Sequence, residues 1–165
     1  MKVSDLFIQK NIFELYHYTR LENVESINND KKIYSRSILN EKNINPEYIT
    51  NSLSRSLDLY HGNQYYVFLV FKDDHPFVYK SNMAFNLSRY CIDISILDEP
   101  GVLISDRIAT DNHVKLYKPE AALQHLKIEY IPFYRVEREI WDEIKKYEIL
   151  IPKFIDLEKY LISFI

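Results

Sequence analysis

Tyr65 to Phe71 is an aromatic and β-branched run of strand length with no polar residue to mark a solvent face. That is the pattern of a central strand covered on both sides. Phe13 to Thr19 has similar strand character, and behind it Leu21, Val24 and Ile27 recur at helical spacing, with Thr19 and Glu22 separated as in a capping box. A strand running into a short helix is predicted here, preceded by a short helix capped by Ser4 and carrying Leu6, Phe7 and Ile8. Residues 40 to 50 are polar, contain Pro46 and read as loop, followed by a short extended piece at Ser52-Leu53-Ser54. Further strands are predicted at Cys91 to Leu97, Val102 to Ile108 and Ile128 to Phe133, with a helix opening at Pro119. From about Arg135 the spacing of Ile140, Trp141 and Ile144 is helical. Glu148 then opens a strand through Ile149-Leu150-Ile151 to Pro152, Asp156 caps a last short helix, and Leu161 to Ile165 closes the chain as a strand. The predicted class is α+β, built around strands.

Composition narrows the chemistry. With 165 residues, 47% of them hydrophobic, and no repeat or Pro/Gly/Ser linker, the chain reads as one domain over residues 1–165. Its net charge of -3 creates no global field toward nucleic acid or anionic membrane, which leaves only local basic patches for such contacts. Cys91 is the only cysteine, so no disulfide can form within the chain, and a reducing, cytoplasmic setting is expected. In the context Arg-Tyr-Cys-Ile-Asp-Ile, its thiol is expected to pack as a small hydrophobe. No signal peptide and no membrane-spanning run is read, so a soluble protein is expected. Gly62 and Gly101 are the only glycines, which excludes the glycine-rich phosphate cradles of P-loop and Rossmann proteins. No serine nucleophile elbow, His-Glu-x-x-His or cysteine pair is present, so metal-free chemistry is favoured.

Several residues remain that can carry chemistry, each with a plain structural alternative. Glu148 is a carboxylate at a strand start, where a solvated side chain is equally natural. His17 lies near the end of its strand, and a neutral imidazole often pairs with backbone. Ser52, Ser54 and Arg55 form either a polar strand edge or a hydrogen-bonding rim whose guanidinium suits a pyrophosphate. The chain has 14 tyrosines, and Tyr60, Tyr65 and Tyr66 are candidates to stack on a flat ring. Glu137, Glu139 and Glu143 include a Glu-x-Glu, but Ile140 and Ile144 beside them favour a solvated helix face.

Three segments together resemble the ADP-ribosyltransferase superfamily, particularly its small phage-associated and toxin members, including the DarT-type toxins that modify DNA. The first is Leu15-Tyr16-His17-Tyr18-Thr19 with the helix Leu21 to Ile27 and Ile33-Tyr34-Ser35-Arg36. The second is Ser52-Leu53-Ser54-Arg55, followed by Tyr60 and the strand Tyr65 to Phe71, and the third is Tyr147-Glu148-Ile149-Leu150-Ile151 with Ile155 to Leu161. The resemblance implies an ADP-ribosyltransferase-like split β-sandwich with peripheral helices, and NAD as substrate. It assigns Glu148 to catalysis, and His17, Tyr18, Thr19, Ser52, Ser54, Arg55, Tyr60 and Tyr65 to NAD binding. It also implies a macromolecular acceptor, nucleic acid or protein, and an antitoxin or inhibitor as a further partner. An NAD glycohydrolase and a noncatalytic nucleotide- or protein-binding module of the same fold stand as alternatives. Many members carry Glu or Gln two residues before the catalytic glutamate. Lys146 stands there in this chain, which argues against arginine as the acceptor.

Overall fold

A computed structural model describes residues 1–48, 56, 60–72, 86–133 and 135–165. The chain begins with helix α1 (Val3–Ile8), strand β1 (Glu14–Arg20) and a 3₁₀ turn that runs into α2 (Val24–Asp30). Next come β2 (Lys32–Tyr34) and α3 (Arg36–Glu41), whose start is capped by the Ser35 hydroxyl accepting from the Ile38 amide at 3.4 Å. Strands β3 (Tyr66–Val70), β4 (Leu87–Asp93), β5 (Leu103–Ser105) and β6 (Leu116–Tyr117) lead to α4 (Pro119–His125), which has proline in its first turn. Helix α5 (Arg138–Ile144), β7 (Glu148–Pro152), β8 (Phe154–Asp156), α6 (Leu157–Tyr160) and β9 (Leu161–Phe164) complete the order.

Seven strands form an antiparallel sheet in the order β6-β5-β7-β3-β1-β4-β9, while β2 and β8 pair as a separate ribbon. Strand β7 lies between β5 and β3, and its first four residues are all buried, as the unbroken Ile-Leu-Ile run requires. The large sheet is split. Among the described residues β1 and β3 share one registered pair, Tyr16 with Val70, whereas β1 pairs with β4 along its whole length from Glu14 to Arg20. The half β6-β5-β7-β3 and the half β1-β4-β9 are therefore joined at one point and part beyond it. Leu15, Leu69, Ile92, Ile104 and Ile149 are fully buried and carry the core across the join, with Phe7 of α1, Ile144 of α5 and Ile155 of β8 packed onto it.

The α+β class and the split architecture agree with the sequence reading, and most elements fall where the hydrophobic pattern places them. Five local readings differ. The strand expected at Val102 to Ile108 is confined to Leu103–Ser105, and from Asp106, whose carboxylate accepts from the Lys115 amide at 2.9 Å, the chain turns into the β5–β6 connection. Ser4 does not cap α1 but lies inside it, because its amide and hydroxyl both reach the Asp98 carboxylate, at 2.9 and 2.6 Å. Thr19 and Glu22 form no capping box: Thr19 accepts from Asn23 Nδ2 at 3.1 Å, and Glu22 pairs with Arg20 at 3.0 Å. The strand expected at Cys91 to Leu97 ends at Asp93, whose carboxylate accepts from the Ser95 amide at 2.9 Å and turns the chain into a 3₁₀ segment that buries Ile94, Ile96 and Leu97. The strand expected at Ile128 to Phe133 is a 3₁₀ turn at Ile128–Tyr130, since Pro132 lacks the amide a strand needs and the Ile131 and Phe133 amides bond back three residues.

Candidate active site

Antiparallel register places Ser105, Glu148, Val70, Tyr16 and Cys91 opposite one another in one row across β5, β7, β3, β1 and β4. Glu148 thus enters the sheet at the level where β3 and β1 touch and begin to part. Its side chain is only 6% exposed, so it is not the solvated strand-start glutamate that composition alone allows. Its main chain is held by Ser105, whose hydroxyl accepts from the Glu148 amide at 3.1 Å and donates to the Glu148 carbonyl at 3.3 Å. The carboxylate Oε2 accepts from the Ala109 amide at 2.8 Å. Ala109 belongs to the β5–β6 connection, residues 106–115, and its carbonyl accepts from Asn63 Nδ2 at 3.2 Å. This connection is tied at its base by Asp106: its amide donates to the Lys115 carbonyl at 3.1 Å, and its carboxylate accepts from the Lys115 amide at 2.9 Å. A buried carboxylate with a fixed backbone donor is a preorganised negative charge, the kind of group that stabilises a developing cation.

His17 spans the parting of the strands. Its Nδ1 lies 2.9 Å from the carbonyl of Phe68 on β3. A carbonyl only accepts, so Nδ1 carries the proton and Nε2 keeps a lone pair for a hydroxyl donor. Burial lowers the His17 pKa from 6.5, opposed by the Phe68 hydrogen bond, and the ring is neutral at pH 7. Thr19 turns its hydroxyl to Asn23, which in turn grips the Glu47 backbone through two bonds of 2.8 and 2.9 Å. The Thr19 side chain therefore braces the β1 end against the chain after α3. Tyr18 is half-buried beside it.

Tyr60 and Tyr65 are 81% and 58% exposed and flank the turn that enters β3, while Tyr66 is half-buried on that strand. Tyr60 meets His61 edge-on at a ring separation of 5.1 Å. Ser52, Ser54 and Arg55, with the extended piece expected at Ser52 to Ser54, lie outside the described residues. Cys91 is buried in β4, as expected of a thiol that packs as a hydrophobe. Glu137 and Glu139 are exposed at the start of α5, whereas Glu143 is half-buried and engaged: it pairs with Lys127 at 2.7 Å and accepts from the Tyr147 hydroxyl at 3.0 Å. That cluster anchors the residue before Glu148 and does not reach the sheet opening.

Asn63, Ser105 and Ala109 have no counterpart in the sequence reading. Ser105 alone left a trace, as a hydroxyl closing the apolar Val102-Leu103-Ile104. Ala109 contributes only its backbone, which no side-chain pattern reveals.

A split antiparallel sheet with a buried glutamate opening an interior strand and a histidine at the parting of the halves defines an ADP-ribosyltransferase-type fold. The sequence model of DarT, described as ssDNA thymidine ADP-ribosyltransferase, matches residues 16–162, and the chain belongs to that family. Solved structures agree in fold. Thermosipho africanus DarTG in complex with ADP-ribose superposes with a TM-score of 0.70 at 19% identity, over 92% of this chain and 43% of that one. Thermus sp. 2.9 DarT in complex with ADP-ribosylated ssDNA gives 0.66 at 15% identity, over 88% and 78%. The same Thermus protein with NAD+ gives 0.59 at 16% identity, over 87% and 76%. This chain thus spans less than half of the DarTG chain and about three quarters of the Thermus one. No curated protein gives a significant match.

Proposed function

We propose that the chain is an NAD-dependent mono-ADP-ribosyltransferase that transfers ADP-ribose to thymidine in single-stranded DNA and releases nicotinamide. The carrying observation is the Glu148 carboxylate, buried and fixed by the Ala109 amide at 2.8 Å at the opening of the split sheet, in a chain whose family model covers residues 16–162. As the bond between nicotinamide and ribose breaks, positive charge grows on the sugar, and a fixed carboxylate beside it gains attraction without reorganising. The same group can take the proton that the incoming acceptor loses as the new glycosidic bond forms. On this reading the Nε2 lone pair of His17 accepts from a ribose hydroxyl. Tyr18 and Thr19, successive on β1 and so turned to opposite faces of it, are the further contacts that the resemblance assigns to this strand, and Tyr60 and Tyr65 offer exposed rings to nicotinamide or to a base. Ser52, Ser54 and Arg55 complete the proposed NAD contacts through their place in the resemblance. NAD+ bound to the Thermus relative, and ADP-ribosylated ssDNA in another of its complexes, support substrate and acceptor.

The proposal extends to the setting. A cytoplasmic, phage-associated toxin held in check by an antitoxin fits the family resemblance, the DarTG relative and a lone, buried cysteine. Among the described residues no helix is long and apolar enough to cross a membrane. The test uses NAD labelled in its adenylate half, incubated with the protein and separate pools of single-stranded DNA, RNA and cell protein. Label should be retained by thymidine-containing DNA and be absent from an oligonucleotide without thymidine. Nicotinamide release with no label on any pool would show a glycohydrolase, and no release at all a binding module.

A further inference from the structure

Asn63 follows Gly62, whose φ of +74° is the left-handed conformation that admits the tight turn into β3. Its side chain is 4% exposed. A buried amide must be hydrogen-bonded, and here Nδ2 donates to the carbonyl of Ala109 at 3.2 Å. Strand β3 is already fixed from Tyr66 onward by its ladder to β7, so the bond adds little to the register of that strand. Its other end matters more. Ala109 is the residue whose amide donates to Glu148 Oε2 at 2.8 Å, and it sits in a connection that no strand pairs with among the described residues. The two bonds grip one residue by both of its backbone groups, one from the β3 entrance and one from the catalytic strand. Without the Asn63 bond, the peptide after Ala109 loses its anchor, and the Ile108–Ala109 peptide that carries the donor is left held from its own side only by the Asp111 amide donating to the Ile108 carbonyl at 2.9 Å, so the donor that aims the carboxylate is less firmly placed.

We infer that Asn63 is a positioning residue of the transferase, acting through Ala109 to hold the Glu148 carboxylate in its reactive orientation. The inference rests on Glu148 as the catalytic group. A misaimed charge loses its effect on the transition state while NAD still binds, so the signature is a fall in kcat with KM for NAD little changed.

The experiment is a double-mutant cycle on nicotinamide release from NAD in the presence of thymidine-containing single-stranded DNA. Asn63→Leu keeps the volume and removes the donor, and Asn63→Ser, with a hydroxyl too short to reach Ala109, serves where the leucine variant does not fold. Either variant should lower kcat by about tenfold, with KM moving by less than about threefold, when Glu148 is present. In a Glu148→Gln background the same substitution should change the residual rate by less than about twofold, because the group it positions has lost its charge. Equal losses in both backgrounds, or folded Asn63 variants with unchanged kcat, would overturn the inference. Full activity of Glu148→Gln alone is the separate result that sinks the catalytic assignment on which the inference rests.

Discussion

Replacing Glu148 by Gln separates charge from shape at the proposed centre. The native carboxylate is 6% exposed and accepts from the Ala109 amide at 2.8 Å. Glutamine keeps a carbonyl oxygen for that amide, so this bond loses only the difference between a charged and a neutral acceptor, about 1 kcal/mol. For a chain of 165 residues this corresponds to a fall in Tm of roughly 2–4 °C. The effect on chemistry should be far larger. Removing one preorganised electrostatic group typically raises a barrier by about 3 kcal/mol, a hundredfold or more in turnover. The assay is nicotinamide release at saturating NAD with thymidine-containing single-stranded DNA, alongside thermal melting with and without NAD. NAD should still raise the melting temperature of the variant, because binding survives while the cation loses its partner. Glu137→Gln and Glu139→Gln, at exposed positions at the start of α5, should leave the rate within about twofold of the parent. The reasoning is refuted if Glu148→Gln retains its rate, and relocated to α5 if one of those controls abolishes release instead.

Other expectations follow from the same framework. Ser105→Ala deprives the buried Glu148 amide of an acceptor at 3.1 Å and should cost ~1–3 kcal/mol in a urea titration; a loss below ~0.5 kcal/mol would show that the hydroxyl does not hold the strand. His17 has a folded pKa below its ordinary 6.5, so its contribution is full above about pH 6.5 and is lost as pH falls toward the folded value, where the unfolded chain takes up a proton that the folded ring refuses. The unfolding midpoint of His17→Gln should therefore decline less steeply below about pH 6.5 than that of the parent, and parallel slopes would contradict the lowered pKa of the half-buried ring. With Lys146 two residues before Glu148, a free arginine analogue should take up little label, and efficient labelling would overturn the DNA acceptor.

What could be read beforehand depended on how local the determining physics was. Strand β7 announced itself because a strand buried on both faces must be a continuous apolar run, whereas the pattern alone left Glu148 as either a solvated strand-start residue or a functional one, and only the family resemblance singled it out. Strand β1 was legible for similar reasons, while His17 on it was marked only by the resemblance, since a lone histidine on a strand is as readily structural. Ile94, Ile96 and Ile128 misled, since β-branched residues report burial as readily as extension, and the decisive signals were the Asp93 carboxylate and the missing amide of Pro132. Ser4 and Thr19 had the chemistry of caps, but Asp98 and Asn23 offered them better partners after folding. The clamp on Glu148 was out of reach altogether. Its bonds close over sequence separations of 39 and 46 residues, and one of its members is an alanine.

That alanine shapes how the site can change under mutation. The donor facing the Glu148 carboxylate is a main-chain N–H, which every amino acid except proline supplies. Ordinary replacements at position 109 leave it in place, and they are filtered instead by volume, because the side chain is 3% exposed. Loss-of-function substitutions isolated by selection should accordingly collect at the side chains that hold or use this donor, with position 109 represented by proline and by residues too large for the space.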